Sequence, residues 1–152
     1  MFFPELEGKN LESRSYKLPY DLDGELNVVL VPFQRWHQNL VDSWGPYLEK
    51  LTQKFPRMKF YEVPTLSSGY KLASFMIDGG MRAGIPNKQV RDRTITLYIN
   101  KSQFKKVLEI PNESTIYLFL INKKGEILWR ERGVYDDSKA QKLTDCLLEY
   151  FQ

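Results

Sequence analysis

Cysteine and histidine are almost absent from this sequence, which has one of each, Cys146 and His37. A single cysteine cannot form a disulfide within the chain, so the sequence lacks the disulfide framework of a small extracellular domain. A single histidine excludes a histidine-rich metal site. We therefore predict no metal and no other cofactor.

Long apolar runs are also missing, and none approaches the roughly 18 residues that a membrane-spanning helix needs. The opening stretch MFFPELEGKN becomes acidic at Glu5 and has no basic region, unlike a secretory signal. It is equally unlike an arginine-rich, acid-poor transit peptide. These absences predict a cytoplasmic protein without a membrane span.

Strong net charge is missing as well, since the chain carries a formal charge of only +3 at pH 7. That value is too small to indicate nucleic acid binding. Positive charge is concentrated between Arg82 and Lys106, where seven basic residues and one acid, Asp92, give a local charge of +6. The basic character is therefore local, and the rest of the chain sums to −3.

What is present suits one domain over residues 1–152, because 42% of the residues are hydrophobic and 27% are charged. Continuous apolar runs and alternating patterns both indicate strands. The predicted strands are 12–18, 26–31, 59–63, 94–99, 115–121 and 126–130. The last two flank NKKG, a turn sequence that predicts a β-hairpin.

Between these strands, the apolar residues are spaced as in helices. Apolar residues recur every three or four positions over 34–55, which predicts a long helix with one buried face. Ser67 or Ser68 begins a shorter helix, and Gly79-Gly80 end it. A short helix follows the 94–99 strand, and a last helix starts near Asp137. Strands that alternate with helices predict an α/β sandwich with parallel early strands and an antiparallel edge.

Two stretches of sequence are informative about the family: FPELEGKNLESRSYKLP near the start and STIYLFLINKKGEILWRERG towards the end. The first resembles the opening, and the second the closing hairpin, of domains of the thioredoxin-like superfamily in its peroxiredoxin-type form. The resemblance covers nearly the whole chain. It implies a three-layer thioredoxin-like sandwich with an N-terminal β-hairpin and a mixed central sheet.

A weaker similarity is carried by RTITLYINKSQFKKVLEIP and TIYLFLINKKGEILW. Together they resemble the mitochondrial ATP synthase assembly factor family. This family is peroxiredoxin-like without a redox role of that kind. The similarity implies a role in assembly or interaction.

The redox positions of the superfamily do not match. Where the thioredoxin type has Trp-Cys-x-x-Cys, this chain has WHQNL at residues 36–40. Histidine has no sulfur with which to form a mixed disulfide. The family's cis-proline would fall near Glu113-Ser114, and Pro111 lies too early. We therefore predict that thiol redox chemistry at this position is lost.

Cys146 is the only other source of thiol chemistry. Its spacing from Leu143 and Tyr150 places it at the border of the buried face of the last helix. A cysteine in that position usually acts as a small apolar residue. The alternative is a thiol-dependent peroxidase or disulfide oxidoreductase that uses Cys146.

The first candidate binding site is Arg35-Trp36-His37, at the start of the long helix. Open α/β sheets bind ligands at the carboxyl ends of their strands, and helix N-termini favour anions. The structural alternative has Trp36 packed under the N-terminal hairpin and His37 in solvent.

The second candidate is DGGMRAGIPNKQVRDRT at residues 78–94, interpreted as an arginine-rich loop from Met81 to Arg93. If the chain is extended there, Arg91 and Arg93 lie on the same side. Together with Arg82 they suit a carboxylate or phosphate, because guanidinium groups bind such anions with two hydrogen bonds. The structural alternative is a solvated basic loop in which Asp92 pairs locally.

The preferred function is a non-redox binding or assembly module with a thioredoxin-like fold. It would recognise an anionic group on a protein partner or a small ligand through Arg82, Arg91 and Arg93, with Arg35, Trp36 and His37 nearby. The family layout implies that these two groups converge. The sequence leaves enzymatic activity and a homodimer open.

Overall fold

A computed structural model describes every residue from Met1 to Gln152. The strands are β1 (Leu6–Asn10), β2 (Ser15–Leu18), β3 (Leu26–Val31), β4 (Met58–Glu62), β5 (Thr65–Ser67), β6 (Ile95–Ile99), β7 (Tyr117–Asn122) and β8 (Ile127–Arg132). The α-helices are α1 (Gln38–Lys54), α2 (Ser74–Gly84), α3 (Lys88–Asp92), α4 (Lys101–Val107) and α5 (Asp137–Tyr150). Two 3₁₀ turns, Arg35–His37 and Ser68–Ala73, lead into α1 and α2.

The strands form two mixed sheets that meet at one point. The central sheet has the order β4-β3-β7-β8, with β3 parallel to β4 and antiparallel to β7. The second sheet has the order β2-β1-β6-β5. A parallel bridge between Glu62 and Thr94 joins them. The parallel pairing of β3 with β4 and the closing antiparallel hairpin confirm the predicted α/β architecture.

The central sheet is covered on both faces. Helices α1 and α5 pack on one face through residues that include Trp44, Leu48 and Leu143. Phe104 of α4 and the N-terminal segment around Phe3 pack on the other. Every residue of β3 is buried, as expected for a strand between two layers. The carboxyl end of β3, where α1 begins, therefore lies at the rim of a well-packed core.

The segment from Ser68 to Arg93 differs from the prediction. Gly79-Gly80 do not end the helix, because neither adopts the positive φ of a glycine cap, and α2 continues to Gly84. The helix stops before Pro86, whose ring disfavours helical backbone in the residue before it. The predicted loop 81–93 is thus mostly helical, with α3 capped by Asn87, whose side chain accepts the N–H of Gln89.

This segment makes little contact with the core. Neither the 3₁₀ turn Ser68–Ala73 nor α2 has a buried residue. Both are inserted between β5 and β6, outside the two hydrophobic clusters. As for membrane insertion, none of the helices is long and apolar enough to span a bilayer.

Candidate functional site

His37 is fully buried at the end of the 3₁₀ turn that leads into α1. Its Nδ1 accepts the backbone N–H groups of Phe33 at 2.9 Å and Gln34 at 3.2 Å. The imidazole thus pairs two donors that the start of a helix leaves open. Because Nδ1 is an acceptor, the proton of the neutral ring is on Nε2, which is buried without a hydrogen-bond partner.

The surroundings keep this imidazole neutral. Burial lowers the pKa of His37, and the charge and backbone carbonyl of Glu113 oppose that change only in part. A neutral, enclosed ring is suited to holding the turn in place.

The two residues before it have the opposite exposure. Arg35 and Trp36 are exposed, with 56% of Trp36 accessible, and the Trp36 ring meets His37 edge-on at 4.5 Å. This reverses the structural alternative in which Trp36 packs inward and His37 faces solvent. His37 faces inward because its ring satisfies backbone donors, a preference that hydropathy alone does not show.

Glu12, at the turn between β1 and β2, brings Arg82 and Arg91 together. Arg91 Nε lies 2.7 Å from one carboxylate oxygen, and Arg82 Nη2 lies 3.3 Å from the other. Arg91 Nη1 also donates to the carbonyls of Ile85 at 2.9 Å and Pro86 at 2.7 Å. The hydrogen bond from Arg91 is the main cause that lowers the pKa of Glu12. Arg91 therefore fastens the α2–α3 connection to the N-terminal hairpin.

Arg93 has different neighbours. Its Nη2 lies 2.8 Å from Glu49 of α1, and its guanidinium carbon lies 4.2 Å from the centre of the Phe60 ring. Its Nε is buried without an acceptor. The condition under which Arg91 and Arg93 were expected on one side, an extended chain, does not hold, because Arg91 lies in α3.

The two candidate groups have different partners. Arg93 pairs with Glu49, twelve residues beyond His37. At a helical rise of 1.5 Å per residue, that separation is about 18 Å along α1. Arg35-Trp36-His37 thus lie at the start of α1, whereas Arg93 pairs further along α1. Arg82 and Arg91 pair with Glu12 instead, and Gln38, next to His37, lines the same cleft as Arg93.

Comparison with known proteins identifies the family. The family described as ATP10 protein matches residues 1–149. The chain belongs to the ATP10 protein family, the ATP synthase assembly factors. No curated protein matches it.

Solved structures that resemble this ATP10 family member share its fold. Copper-bound ScoI from Arabidopsis thaliana has a TM-score of 0.64 and 10% identity, over 99% of this chain and 100% of that one. The thioredoxin domain of a thiol-disulfide oxidoreductase from Bacteroides vulgatus has a TM-score of 0.58 and 20% identity, over 95% and 94%. The exposed lipoprotein thioredoxin Etrx1 of Streptococcus pneumoniae has a TM-score of 0.57 and 16% identity, over 93% and 98%. At these identities the likeness shows a thioredoxin-like fold, as predicted.

In this ATP10 family member, a charged cluster surrounds Glu113, the residue near which the resemblance predicted the superfamily's cis-proline. Glu113 accepts hydrogen bonds from Lys101 at 2.8 Å and Lys105 at 2.7 Å. Burial would raise the pKa of Glu113, but the two lysines together lower it. The structure's cis peptide bond is at Leu18-Pro19, in the N-terminal hairpin.

Cys146 lies away from all of these groups, half-buried in α5. Its Sγ is 3.8 Å from the Leu128 carbonyl oxygen. Burial, followed by the charge of Glu149, raises the pKa of the thiol. A raised pKa lowers the thiolate fraction, which is the nucleophilic form.

Sequence reasoning missed the exposure of the apolar side chains that are most accessible to solvent. They lie on the 3₁₀ turn Ser68–Ala73 and the start of α2, where Leu72 is 101% and Phe75 is 91% exposed. We call this group of side chains the α2 surface; its residues are Tyr70, Leu72, Phe75 and Met76. Large exposed apolar patches mark interaction sites. The sequence contained one signal for this surface. The apolar residues of α2 are followed by Gly79-Gly80, and glycine disfavours a stable helix.

Proposed function

We propose that this chain is a non-redox assembly factor that binds a protein partner through the α2 surface. The observation that carries the proposal is the exposure of Leu72, Phe75 and Met76 on one inserted segment. Membership of the ATP synthase assembly factor family supports a protein partner. The proposal also fits a buried histidine at the position where a redox enzyme has its cysteine.

The size of the apolar side chains makes the α2 surface suitable for binding. Removal of apolar surface from water stabilises a complex by about 25 cal/mol per Å². Leu72, Phe75 and Met76 lie outside the core, so most of the apolar surface of each side chain can be buried by a partner. Aromatic residues and methionine are enriched where proteins meet.

Glycines next to these side chains leave room for a close approach. A Cβ built on Gly79 or Gly80 would meet no atom within 4 Å. A partner backbone can therefore come close to α2 at these positions. The result is a ridge of large side chains beside a row of small ones, which is how packed helices fit together.

The anionic group predicted from the sequence is placed, in this proposal, at the edge of the α2 surface. Of Arg82, Arg91 and Arg93, Arg82 is the most available to a partner, since its side chain is 55% exposed and its contact with Glu12 is 3.3 Å long. Arg91 and Arg93 already have short contacts with carboxylates and hold the segment in place. Arg35 and Trp36, both exposed, form a separate and weaker candidate contact, with His37 as the buried support of their turn.

The test is co-precipitation of ATP synthase subunits with tagged chain from cells that lack the native protein. The variant changes Leu72, Phe75 and Met76 to serine. The matched control changes Val134 and Leu148, which are exposed elsewhere, to serine. We expect the α2 variant to lose the subunits and the control to retain them. If both variants retain them with unchanged melting temperatures, the α2 surface is not the docking site.

Arg82→Glu separates the charged part of the proposal from the apolar part. We expect it to weaken co-precipitation more at low salt than at high salt, because exposed charges are screened. Arg132→Glu is the control, since Arg132 is also exposed and basic. Equal effects of the two variants would mean that Arg82 does not bind an anionic group of the partner.

The compartment in which the protein acts is a separate question with two candidate answers. The N-terminal stretch predicts the cytoplasm, whereas the similarity to the mitochondrial family implies the mitochondrion. Imaging of a C-terminal fluorescent fusion distinguishes them, and a mitochondrial signal overturns the cytoplasmic prediction.

A further inference from the structure

A cleft of about 390 Å³ separates α1 from the α2–α3 connection. Its volume falls in the range of about 300–1,000 Å³ that is typical of small-ligand sites. Glu62, the last residue of β4, lies in the cleft beside Phe60. The site is thus at the carboxyl end of a parallel strand, where open α/β sheets bind ligands. We call it the α1 cleft.

Glu62 is a buried carboxyl group without a direct counter-ion. The residue is only 8% exposed, and its side chain lines the cleft. Arg93 is nearby but pairs with Glu49 at 2.8 Å instead. Burial raises the pKa of Glu62 to about 7; Arg93 opposes the rise and Asp42 adds to it. A buried carboxylate in this state is stabilised by any cation that reaches it.

Asp42 adds a second carboxylate to the cleft from α1. Its side chain accepts a hydrogen bond from Gln38 at 2.8 Å and has no salt bridge. Pro46 lies four residues further on and has no N–H, so the Asp42 carbonyl also lacks its usual helical partner. Arg93, which follows α3, also lines the cleft, and its charge is paired with Glu49; the α2–α3 connection itself contributes no charged side chain.

Gly45 creates the opening on the helix side. A Cβ built there would meet no atom within 4 Å, so packing does not require glycine. Glycine inside a helix costs about 1 kcal/mol relative to alanine. Its presence in the middle of α1 keeps the cleft open above the two carboxylates.

We propose that the α1 cleft binds a primary ammonium group carried on an apolar stem, as in a lysine side chain of a protein or a free alkylamine. The ammonium lies between Glu62 and Asp42, where its three N–H donors meet acceptors that lack salt-bridge partners. The stem lies against Phe60, Ile85 and Val90, which line the cleft. The site goes beyond the proposed partner contact, because it uses none of the residues of the α2 surface.

The test is a two-dimensional ¹H–¹⁵N NMR titration of the full chain at pH 8. The probes are n-hexylamine and Nα-acetyl-lysine N-methylamide, with n-hexanol as the uncharged control. We expect both amines to shift the amide signals around Gly45 and from Val90 to Arg93, with hexanol at least tenfold weaker. At pH 6 we expect the amines to bind about tenfold more weakly, because most of Glu62 is then protonated.

Two pairs of variants locate the site. Glu62→Gln is expected to weaken amine binding at least tenfold, whereas Glu7→Gln, on exposed β1, leaves it unchanged. Gly45→Leu fills the cleft and is expected to abolish binding, whereas the smaller Gly45→Ala retains it. The tighter of the two amines identifies the source of the ammonium group. The proposal is overturned if hexanol binds as well as the amines, if Glu62→Gln binds normally, or if no signals shift.

Discussion

The substitution Glu62→Gln is expected to stabilise the protein at alkaline pH and to have little effect at acidic pH. Folding raises the pKa of Glu62 from 4.5 to about 7, so the folded state binds more protons than the unfolded state between those values. The free energy of unfolding of the wild type therefore falls as pH rises through that window. Each pKa unit corresponds to about 1.4 kcal/mol, which gives a loss of about 3 kcal/mol by pH 8.

Glutamine keeps the shape of the side chain but cannot ionise. The variant therefore avoids this loss, and the gain in stability over wild type should grow by about 3 kcal/mol between pH 4.5 and pH 8. That is a large fraction of the 5–15 kcal/mol typical of a folded domain. Urea unfolding followed by circular dichroism at both pH values measures it. The midpoint difference between variant and wild type should change by about 1–3 M urea.

Glu12→Gln provides a control of opposite sign. Arg91 lowers the pKa of Glu12, so the folded state favours its charged form. This substitution should destabilise the protein at neutral pH, and the difference should shrink as pH falls through the pKa of Glu12. If the difference in urea midpoint between Glu62→Gln and wild type is the same at both pH values, Glu62 is not a buried carboxyl group with a raised pKa, and the reasoning fails.

Other substitutions test the remaining assignments. His37→Ala should cost about 2–4 kcal/mol, since it opens a cavity and leaves two backbone N–H groups unpaired, whereas the exposed Trp36→Ala should be nearly neutral in the same urea experiment. Arg91→Ala should destabilise by about 1–3 kcal/mol and expose the α2–α3 connection to limited proteolysis, and an equal effect of Arg82→Ala would contradict the anchoring role of Arg91. Cys146→Ser and wild type should both show only background rates of peroxide consumption and insulin reduction. Activity that wild type has and the variant lacks would support the alternative of a thiol-dependent enzyme. Size-exclusion chromatography tests the homodimer left open by the sequence, and a monomer at all concentrations would remove it.

The architecture was largely readable from the sequence because its signals are local. The apolar run of β3 was predicted at its observed bounds, since a strand buried on both faces has no polar alternation to obscure it. The NKKG turn likewise fixed the β7–β8 hairpin, with Gly125 at φ +86. The N-terminal hairpin of β1 and β2 was implied by the resemblance, but the bounds of β1 were not predicted. The short strand β5 was missed because it pairs only with the distant β6.

The candidate sites were less predictable because they depend on distant partners. Nothing around Arg91 in the sequence indicates that Glu12 neutralises it, since the two are 79 residues apart. Glu62 is one acid in an apolar strand. Only the structure reveals that Arg93 does not pair with it, because the Arg93 guanidinium contacts Glu49. The burial of His37 depends on backbone donors, which the sequence does not display.

The inserted segment between β5 and β6 has a consequence for how this protein can diverge. Since the 3₁₀ turn and α2 contribute no buried residue, substitutions there remove nothing from either hydrophobic cluster. Selection on this segment is therefore separated from selection for folding, and its sequence is free to follow a changing partner. The ion pairs of Glu12 and Glu49 limit that freedom, because they fasten the end of the segment to the N-terminal hairpin and to α1.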